Sequence, residues 1–321
     1  MSQLNIDIES LKRRKLMVAT PMYGGQCYGS YHGSCVALAQ LLGGYGIGLQ
    51  FCHIMNESLV TRARNACCQS FLDSDCTHMI FIDADITFNP TDVLHMMALI
   101  DHEDNDCEYH VLCGPYPKKG ISWKNVALAM QNKKIADAVQ SQNDLLSSFS
   151  GEFVFRVKSG TFHMNKPNEV YESGTGFMMF TKKQLEVMKD SYPELAYISD
   201  MMNTEYDRKP MTAFFDTVID NKTNELRTQL PLFLSQNPSA THEEIQAFIF
   251  DQNNRIPTDE NPSTTYSGRY LSEDYMFCAW MRRCGQKIWL CPWIKLKHTG
   301  THVYAGDFPQ TAPLRWNKKD S

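Results

Sequence analysis

The stretch HMIFIDADITFNP, residues 78–90, joins an apolar run to two aspartates that are separated by one alanine. Residues 79–82 have the length and composition of a buried β-strand. Side chains alternate between the faces of a strand, so Asp83 and Asp85 would point the same way if the strand continued through them. Two adjacent carboxylates oppose each other's ionisation unless positive charge lies nearby. The pair therefore predicts a site for a cation or a proton at the end of this strand.

The residues before this stretch alternate between strand and helix patterns. KLMVATPMYGG (15–25) and GLQFCHIM (48–55) are apolar strands, the first of which ends in a Pro/Gly loop. SCVALAQLLGGYG (34–46) and SLVTRARNACCQSFLDSD (58–75) have helical periodicity. The resulting β-α-β-α-β order predicts an α/β fold, with a mostly parallel twisted sheet flanked by helices.

The remaining segments extend this architecture. We predict helices near 92–100, at 125–146 and at 181–191, and strands at 109–113, within 152–160, within 170–182 and within 286–300. Residues 221–269 are polar and predict an insertion, a hairpin whose tip carries one or two small helices. The expected organisation is a leader at 1–14, one domain at 15–306 with this insertion, and an irregular tail at 307–321.

The composition excludes some classes of protein. The chain of 321 residues has 31 Lys and Arg against 36 Asp and Glu, a net charge of -5, so no strong overall field recruits nucleic acid or membrane. No run approaches the roughly 18 apolar residues that a membrane span needs. The 11 cysteines are scattered without a C-x-x-C pair, which is typical of free thiols in a reducing cytosol. We therefore expect a cytoplasmic protein.

Three hypotheses account for the acid pair. The simplest is that Asp83 and Asp85 only cap the turn that follows the strand. A second is a phosphatase, because IFIDADIT resembles the first motif of the haloacid dehalogenase family, in which Asp83 would attack phosphorus and Asp85 would protonate the leaving group. That motif belongs on the first strand of the core, whereas two strands and two helices precede it here, and Ile86 replaces the usual glycine.

The third hypothesis is a transferase that uses a nucleotide-sugar donor. A departing nucleoside diphosphate develops negative charge, and a hard cation held by carboxylates neutralises it. The order of several segments resembles the GT-A glycosyltransferases, in particular family-2-like members found in bacteria, phages and large DNA viruses. The segments are VATPMYGG, TRARNACCQSFL, FIDADITF, SGTGFMMF, LSEDYMFCAWMRRCGQKIW and KHTG. The resemblance covers roughly residues 15–306, apart from the insertion, and implies a GT-A (Rossmann-like) fold with a smaller acceptor-side sheet.

The resemblance also implies roles for individual residues. The donor would contact the first-strand loop, the Arg-Asn helix, the acid pair and the Lys-Lys loop, that is Thr20, Pro21, Tyr23, Arg62, Arg64, Asn65, Asp83, Ala84, Asp85, Lys118 and Lys119. The acceptor would lie along Gly174, Thr175, Gly176 and Trp123. Mn2+ or Mg2+ would be held by Asp83, Asp85 and His298, and Asp274, with Glu273 beside it, would be the general base. A single-displacement, inverting route is expected, although retaining enzymes share the fold and the metal motif.

Several of these residues have structural alternatives. Asp274 and Glu273 could favour a helix N-terminus through the helix dipole. Arg62 and Arg64 do not share a helix face, so only one is expected at the donor, and Arg64 is preferred. Lys118 and Lys119 could be a solvated loop, and Trp123 could be a packing residue.

The acceptor is open between two classes. A glycan or glycolipid head group is the general expectation for this fold, and a hydroxylated or hydroxymethylated DNA base is the alternative. LKRRK (11–15), WNKKDS (316–321) and the insertion could form a rim for DNA, although the acidic net charge argues against it. The oligomeric state is not predicted.

Overall fold

A computed structural model describes residues 7–104, 106–158, 161–221, 226–250 and 266–316. The strands are β1 (Lys15–Met22), β2 (Gly48–Met55), β3 (His78–Ile82), β4 (Ile86–Thr87), β5 (Val111–Cys113), β6 (Phe155–Val157), β7 (Asn168–Ser173), β8 (Phe177–Thr181), β9 (Ala196–Ile198), β10 (Pro210–Thr212), β11 (Ile288–Leu290), β12 (Lys297–Thr299) and β13 (Val303–Ala305). The helices are α1 (Ile8–Leu11), α2 (Gly29–Tyr45), α3 (Val60–Asp73), α4 (Pro90–Leu99), α5 (Trp123–Met130), α6 (Lys133–Ser141), α7 (Lys182–Ser191), α8 (Leu226–Gln236), α9 (His242–Phe250), α10 (Glu273–Arg283) and α11 (Phe308–Trp316).

The described strands form one large sheet and two small ones. The large sheet has eight strands in the order β2-β1-β3-β8-β5-β11-β7-β6. Strands β8 and β7 run antiparallel to their neighbours, so the other six point in one direction. The small sheets are β13-β12-β4 and β10-β9. The predicted α/β class, with a mostly parallel sheet flanked by helices and a smaller additional sheet, is confirmed and is consistent with a GT-A-like fold.

Both faces of the inner strands of the large sheet are buried, which explains the continuous apolar runs in these strands. On β3, Met79 and Phe81 face one core and Ile80 and Ile82 face the other, and none is exposed to solvent. Helix α3 covers the first face through residues such as Phe71. Helices α2 and α4 cover the second face. The sheet is therefore the middle layer of a helix–sheet–helix sandwich.

Two predictions of local structure were wrong. The single polar helix expected at 125–146 is two helices, α5 and α6, followed by a 3-10 segment at Asn143–Phe149. The break falls at Asn132, whose side chain accepts a hydrogen bond from the N–H of Lys134 and so starts a new helix. The tail at 307–321 was expected to be irregular, but its described part forms α11. Asp307 accepts from the N–H of Gln310 at the start of α11, and the buried Phe308 packs on the aromatic rings of residues 153, 155 and 162.

The described part of the predicted leader packs on the domain. Leu11 is 1% exposed, and the buried Arg14 donates to the carbonyl oxygens of Met97 and Ile100 at the end of α4. In the insertion, the bridge between Ile219 and Tyr270 closes its base, and α8 and α9 lie within it. Residues 222–225 and 251–265 of the predicted insertion lie outside the described residues.

Two expectations from composition can be compared with the structure. The 11 cysteines are all free thiols, and most of them are buried. Among the helices of the described residues, not one combines the length and the apolarity that crossing a bilayer requires.

Candidate functional site

The two aspartates lie in a turn rather than in a strand. Strand β3 ends at Ile82, and the N–H of Ile86 donates to the carbonyl oxygen of Asp83 at 3.0 Å, which closes a turn over Ala84. The expectation that strand alternation orients both carboxylates does not hold, because the chain turns between them. Asp83 and Asp85 instead make separate contacts.

Asp83 is paired with a buried arginine from α3. Arg64 Nη2 lies 3.1 Å from Asp83 Oδ1, and Arg64 Nε lies 3.4 Å from Glu273 Oε1 at the start of α10. The Arg64 side chain is 5% exposed and its guanidinium lies 5.1 Å above the ring of Phe81. Burial alone would lower the pKa of Arg64, but the two carboxylates outweigh it and raise that pKa. Arg64 is therefore a fixed cation that joins β3 to α10.

Asp85 is paired with a different cation, Lys119, and also faces His298. Lys119 Nζ lies 2.5 Å from Asp85 Oδ2, and His298 Nε2 lies 3.3 Å from Oδ1. Strand β12 carries His298 to this position, because it pairs antiparallel with β4 immediately after the turn. Burial opposes the ionisation of Asp85, but His298 and Lys119 outweigh it and hold the pKa of the carboxyl below its usual value.

The tautomer of His298 is set by its other nitrogen. Nδ1 lies 2.9 Å from the carbonyl oxygen of Pro117, which can only accept, so Nδ1 carries the proton. In a neutral imidazole the lone pair of Nε2 then faces Asp85 Oδ1, a buried oxygen that has no hydrogen-bond partner in the structure. Two lone pairs facing each other at 3.3 Å require a cation or a proton between them.

This nitrogen and oxygen pair fits the predicted divalent ion as a partial ligand set. Carboxylate and imidazole are both ligands of Mn2+, and Mg2+ accepts carboxylate together with substrate phosphates. In the parts of the chain that the structure describes, no group of three or more His, Cys, Asp or Glu side chains is placed to hold a metal ion. Asp83 is turned to Arg64, so Asp85 and His298 are the two candidates, and the other positions would fall to diphosphate and water.

A cavity of about 610 Å³ opens beside the two aspartates. It lies at the carboxyl ends of β1, β2 and β3, the edge at which parallel α/β sheets bind ligands. Of the predicted donor residues, the cavity is lined by Pro21, Tyr23, Arg64, Asp83, Ala84 and Asp85. Its wall also includes Gln26, Cys27, Tyr28, Glu57 and Ser58, which the sequence reading did not select. Tyr28 is positioned by its N–H, which donates to the carbonyl oxygen of Ala84 at 2.9 Å.

Three predicted donor residues are engaged elsewhere. Thr20 is fully buried, and its hydroxyl lies 2.7 Å from the hydroxyl of Tyr31. Asn65 is buried, and its amide makes two hydrogen bonds with the backbone of Phe215. Thr20 and Asn65 therefore hold the core together, and neither lines the cavity.

Arg62 also lies outside the cavity wall. It spans Glu57 Oε1 at 2.8 Å and Asp200 Oδ1 at 2.7 Å. The choice of Arg64 over Arg62 agrees with this placement, because Arg62 ties the loop after β2 to the segment near residue 200.

The remaining predicted residues surround the turn at greater distance. Gly176 contributes its carbonyl oxygen to the N–H of Asp83 at 3.1 Å. Gly174 and Thr175 are buried next to it, between the ends of β7 and β8. Lys118 is exposed, and no side-chain contact joins it to Asp83 or Asp85 in the described residues. Trp123 is 71% exposed, so the packing alternative for this side chain is wrong.

Asp274 lies at the N-terminus of α10, within electrostatic range of Arg64. Its Oδ1 accepts from the hydroxyl of Ser272 and from the N–H of Tyr275. Burial raises the pKa of Asp274, and the adjacent Glu273 adds to the increase. A carboxylate that protonates more readily than usual is suited to accept a proton from a hydroxyl. Glu273 is instead held by Arg64 and is the poorer candidate for a base.

Tyr116 was not predicted from the sequence, and the fold places it beside His298. It is 8% exposed and contacts His298 edge-on, with ring centroids 5.6 Å apart. Its position in GPYP directly after a strand could have indicated a site residue, but only Lys118 and Lys119, which follow it, were predicted.

Comparisons with known proteins address the fold. No protein-family model and no curated protein sequence matches the chain. Its structure is similar to that of A197 from STIV, with a TM-score of 0.42 and 12% identity over 92% of this chain and 91% of that chain. It is also similar to S. aureus TarS 1-349 in complex with UDP-GlcNAc, with a TM-score of 0.29 and 14% identity over 60% of this chain and 51% of that chain. Similarities at this level assign no chemistry to the site.

Proposed function

We propose that this protein is a glycosyltransferase that moves a sugar from a nucleotide-sugar donor, a UDP-sugar, to an acceptor hydroxyl. The observation that carries the proposal is the cavity at the carboxyl ends of β1–β3, whose wall places a buried arginine beside two partly buried carboxylates. A nucleotide needs an apolar surface for its base and cations for its diphosphate. This cavity offers Tyr23, Tyr28 and Val60 for the first, with Arg64 and the nearby Lys119 for the second.

The chain's own residues would hold the donor as follows. The nucleoside lies over the loop after β1, against the exposed ring of Tyr23. The diphosphate approaches Asp85 and displaces Lys119, whose side chain is 45% exposed and can turn toward phosphate. Arg64 stays in place, because both of its carboxylate partners are on buried elements.

A divalent cation bound by Asp85 and His298, Mn2+ or Mg2+, would neutralise the charge that develops on the departing diphosphate. The tautomer of His298 prepares this site, since Pro117 keeps the proton on Nδ1 and leaves Nε2 as a ligand. Asp85 contributes the buried oxygen that lacks a hydrogen bond. The two aspartates therefore have different roles. Asp83 is held by Arg64, whereas Asp85 can exchange its partner.

Asp274 would act as the general base of a single-displacement, inverting transfer. It accepts the proton of the acceptor hydroxyl as that oxygen attacks the anomeric carbon. The raised pKa of Asp274 means that activity is lost as the pH falls through that value, because the base must be ionised. Replacing Asp274 by asparagine is expected to lower turnover by at least about 100-fold.

The acceptor we propose is a glycan hydroxyl. A DNA acceptor would require a basic rim, but Lys12 and Arg13 of the LKRRK segment pair with Glu9 and Glu103. Residues 317–321, which carry the second basic segment, lie outside the described part. A gel shift with modified and unmodified duplexes at two salt concentrations tests the DNA alternative, and salt-sensitive binding would support it.

The phosphatase alternative is less well supported by the contacts of the acid pair. A nucleophilic Asp83 would attack phosphorus through Oδ2, but Oδ1 is paired with the buried Arg64, and this cation makes the carboxylate a weaker nucleophile. An assay with small phosphate esters tests this alternative directly, and Asp83-dependent hydrolysis would support it.

The experiment that tests the proposal is thermal unfolding with UDP-, GDP-, CMP- and dTDP-compounds, each with and without Mn2+. A ligand that binds only the native state at 100 times its Kd stabilises it by about 2.7 kcal/mol. We expect a metal-dependent rise in Tm for UDP compounds, lost in Asp85→Ala. The matched control is Asp75→Ala, an exposed carboxylate before the opposite end of β3. No rise with any nucleotide would refute the proposal.

A further inference from the structure

A buried tyrosine lies where the predicted donor and acceptor segments meet. Tyr116 follows β5 in the loop Gly-Pro-Tyr-Pro, and its phenol lies against the backbone of Gly174 and Gly176. The loop from Gly174 to Gly176 is fixed on both sides of it. The carbonyl oxygen of Gly176 accepts from Asp83 N–H, and that of Phe177 accepts from Gly114 N–H. The ends of β3, β5 and β8 are therefore joined around this one side chain.

The two glycines of this loop leave room for the side chain of Tyr116. A Cβ on Gly174 would lie 1.9 Å from Tyr116 Oη and 2.7 Å from Cζ. A Cβ on Gly176 would lie 3.0 Å from the ring and 3.1 Å from Asp83 Oδ2. Neither glycine has a positive φ, so they serve close approach rather than an unusual backbone. A side chain at either position would therefore press on Tyr116.

The surroundings of the hydroxyl connect both halves of the site. Asp83 and Asp274 both lie within electrostatic range of the phenol, as does Arg64. Burial is the main reason that the pKa of Tyr116 is raised well above its usual value, and both aspartates add to this. Its ring meets the imidazole of His298 at 88°, which holds that ring in its orientation.

We propose that Tyr116 is a positioning residue for the transfer, because its hydroxyl sets the distance between the donor-side Asp83 and His298 and the acceptor-side Gly174–Gly176 loop and Asp274. This inference rests on the proposed function. It assigns the residue a role in turnover rather than in donor affinity. A misplacement of about 1 Å between reacting groups costs up to about 100-fold in rate.

The test of the role is Tyr116→Phe, which removes only the hydroxyl. The assay is release of UDP from UDP-sugars with water as the acceptor, together with the Tm shift produced by UDP and Mn2+. We expect kcat to fall at least about ten-fold, while KM and the UDP-induced shift stay within about two-fold. The matched control is Tyr206→Phe, a buried tyrosine next to Glu205 and away from the aspartates, which should leave kcat unchanged. An unchanged kcat in Tyr116→Phe would overturn the proposal.

A double-mutant cycle tests the geometry without any turnover. Gly174→Ala should lower Tm sharply, because the new methyl group meets the phenol. In a Tyr116→Leu background the same substitution should lower Tm much less, since the ring tip is gone. Additive effects would overturn the packing on which the inference depends. The two effects could be coupled while the wild-type protein neither binds nor turns over a UDP compound. That outcome would show that the proposed function has failed, and the positioning role with it.

Discussion

Replacing Arg64 tests whether this cation allows Asp83 and Glu273 to be ionised side by side. Arg64→Met keeps the length of the side chain and its contact with Phe81, but leaves Asp83 and Glu273 without their shared cation. Removing one partner of a fully buried ion pair costs about 3–5 kcal/mol. The side chains of Asp83 and Glu273 are 29% and 16% exposed, so water offsets part of this and we expect a loss of about 2–3 kcal/mol.

The assay is chemical and thermal unfolding of four proteins at pH 7.5. The first is the wild type and the second is Arg64→Met, for which a loss of about 2–3 kcal/mol corresponds to a fall in Tm of about 3–5 °C in a chain of 321 residues. The third combines Arg64→Met with Asp83→Asn and Glu273→Gln, and removing the two stranded charges should restore at least half of the loss. The fourth is the control Arg13→Met, whose ion pair is fully exposed and which should not change Tm. A triple variant no more stable than Arg64→Met would refute the reasoning.

Three further predictions follow from the same contacts. Asn65→Ala removes both hydrogen bonds to the Phe215 backbone, so the free energy of unfolding measured in urea should fall by about 2–3 kcal/mol. The nucleotide affinity of the folded protein should not change, and a ten-fold loss of affinity at unchanged stability would contradict this. Lys119→Met removes the cation that competes at Asp85, so calorimetric titration with MnCl2 should show about five-fold tighter binding, and weaker binding would contradict it. Burial raises the pKa of Asp92 to about 6, so stability that depends on its protonated form is present below pH 4 and lost as the pH rises through 6. Asp92→Asn should therefore raise the free energy of unfolding by about 1 kcal/mol at pH 8 and leave it unchanged at pH 4. The gain at pH 8 is reduced because the helix N-terminus favours the ionised aspartate. Equal effects at both pH values would contradict this.

The first half of the fold could be predicted because its signals are local. Strands buried on both faces are continuous apolar runs, and the segments between them have helical spacing of their apolar residues, so their order implied a parallel sheet. Helix α11 was missed because Pro313 lies inside it, and proline argues against a helix interior when only the sequence is known. The stability of α11 comes instead from Phe308, which packs against aromatic rings that are distant in sequence.

The contacts of the site could not be predicted from spacing. The partner of Arg64 at Glu273 is 209 positions away, and Lys119 is 34 positions from Asp85. Family resemblance placed Arg64, the aspartates and His298 in one region. It also placed Asn65 there, yet the amide of Asn65 satisfies backbone groups of Phe215 that would otherwise be buried without partners. Whether a polar side chain faces a cavity or the core depends on the other elements that pack on its helix.

The two aspartates have separate cationic partners, which allows both to be ionised before any ligand binds. A single shared cation would leave both carboxylates exposed to mutual repulsion whenever that cation departs. Here Asp83 keeps a buried arginine that cannot leave, so only Asp85 depends on an exchangeable partner. Lys119 is the more easily exchanged partner, because its side chain is 45% exposed. In the proposed transferase, this asymmetry would leave only Asp85 without a cation when an anionic product departs.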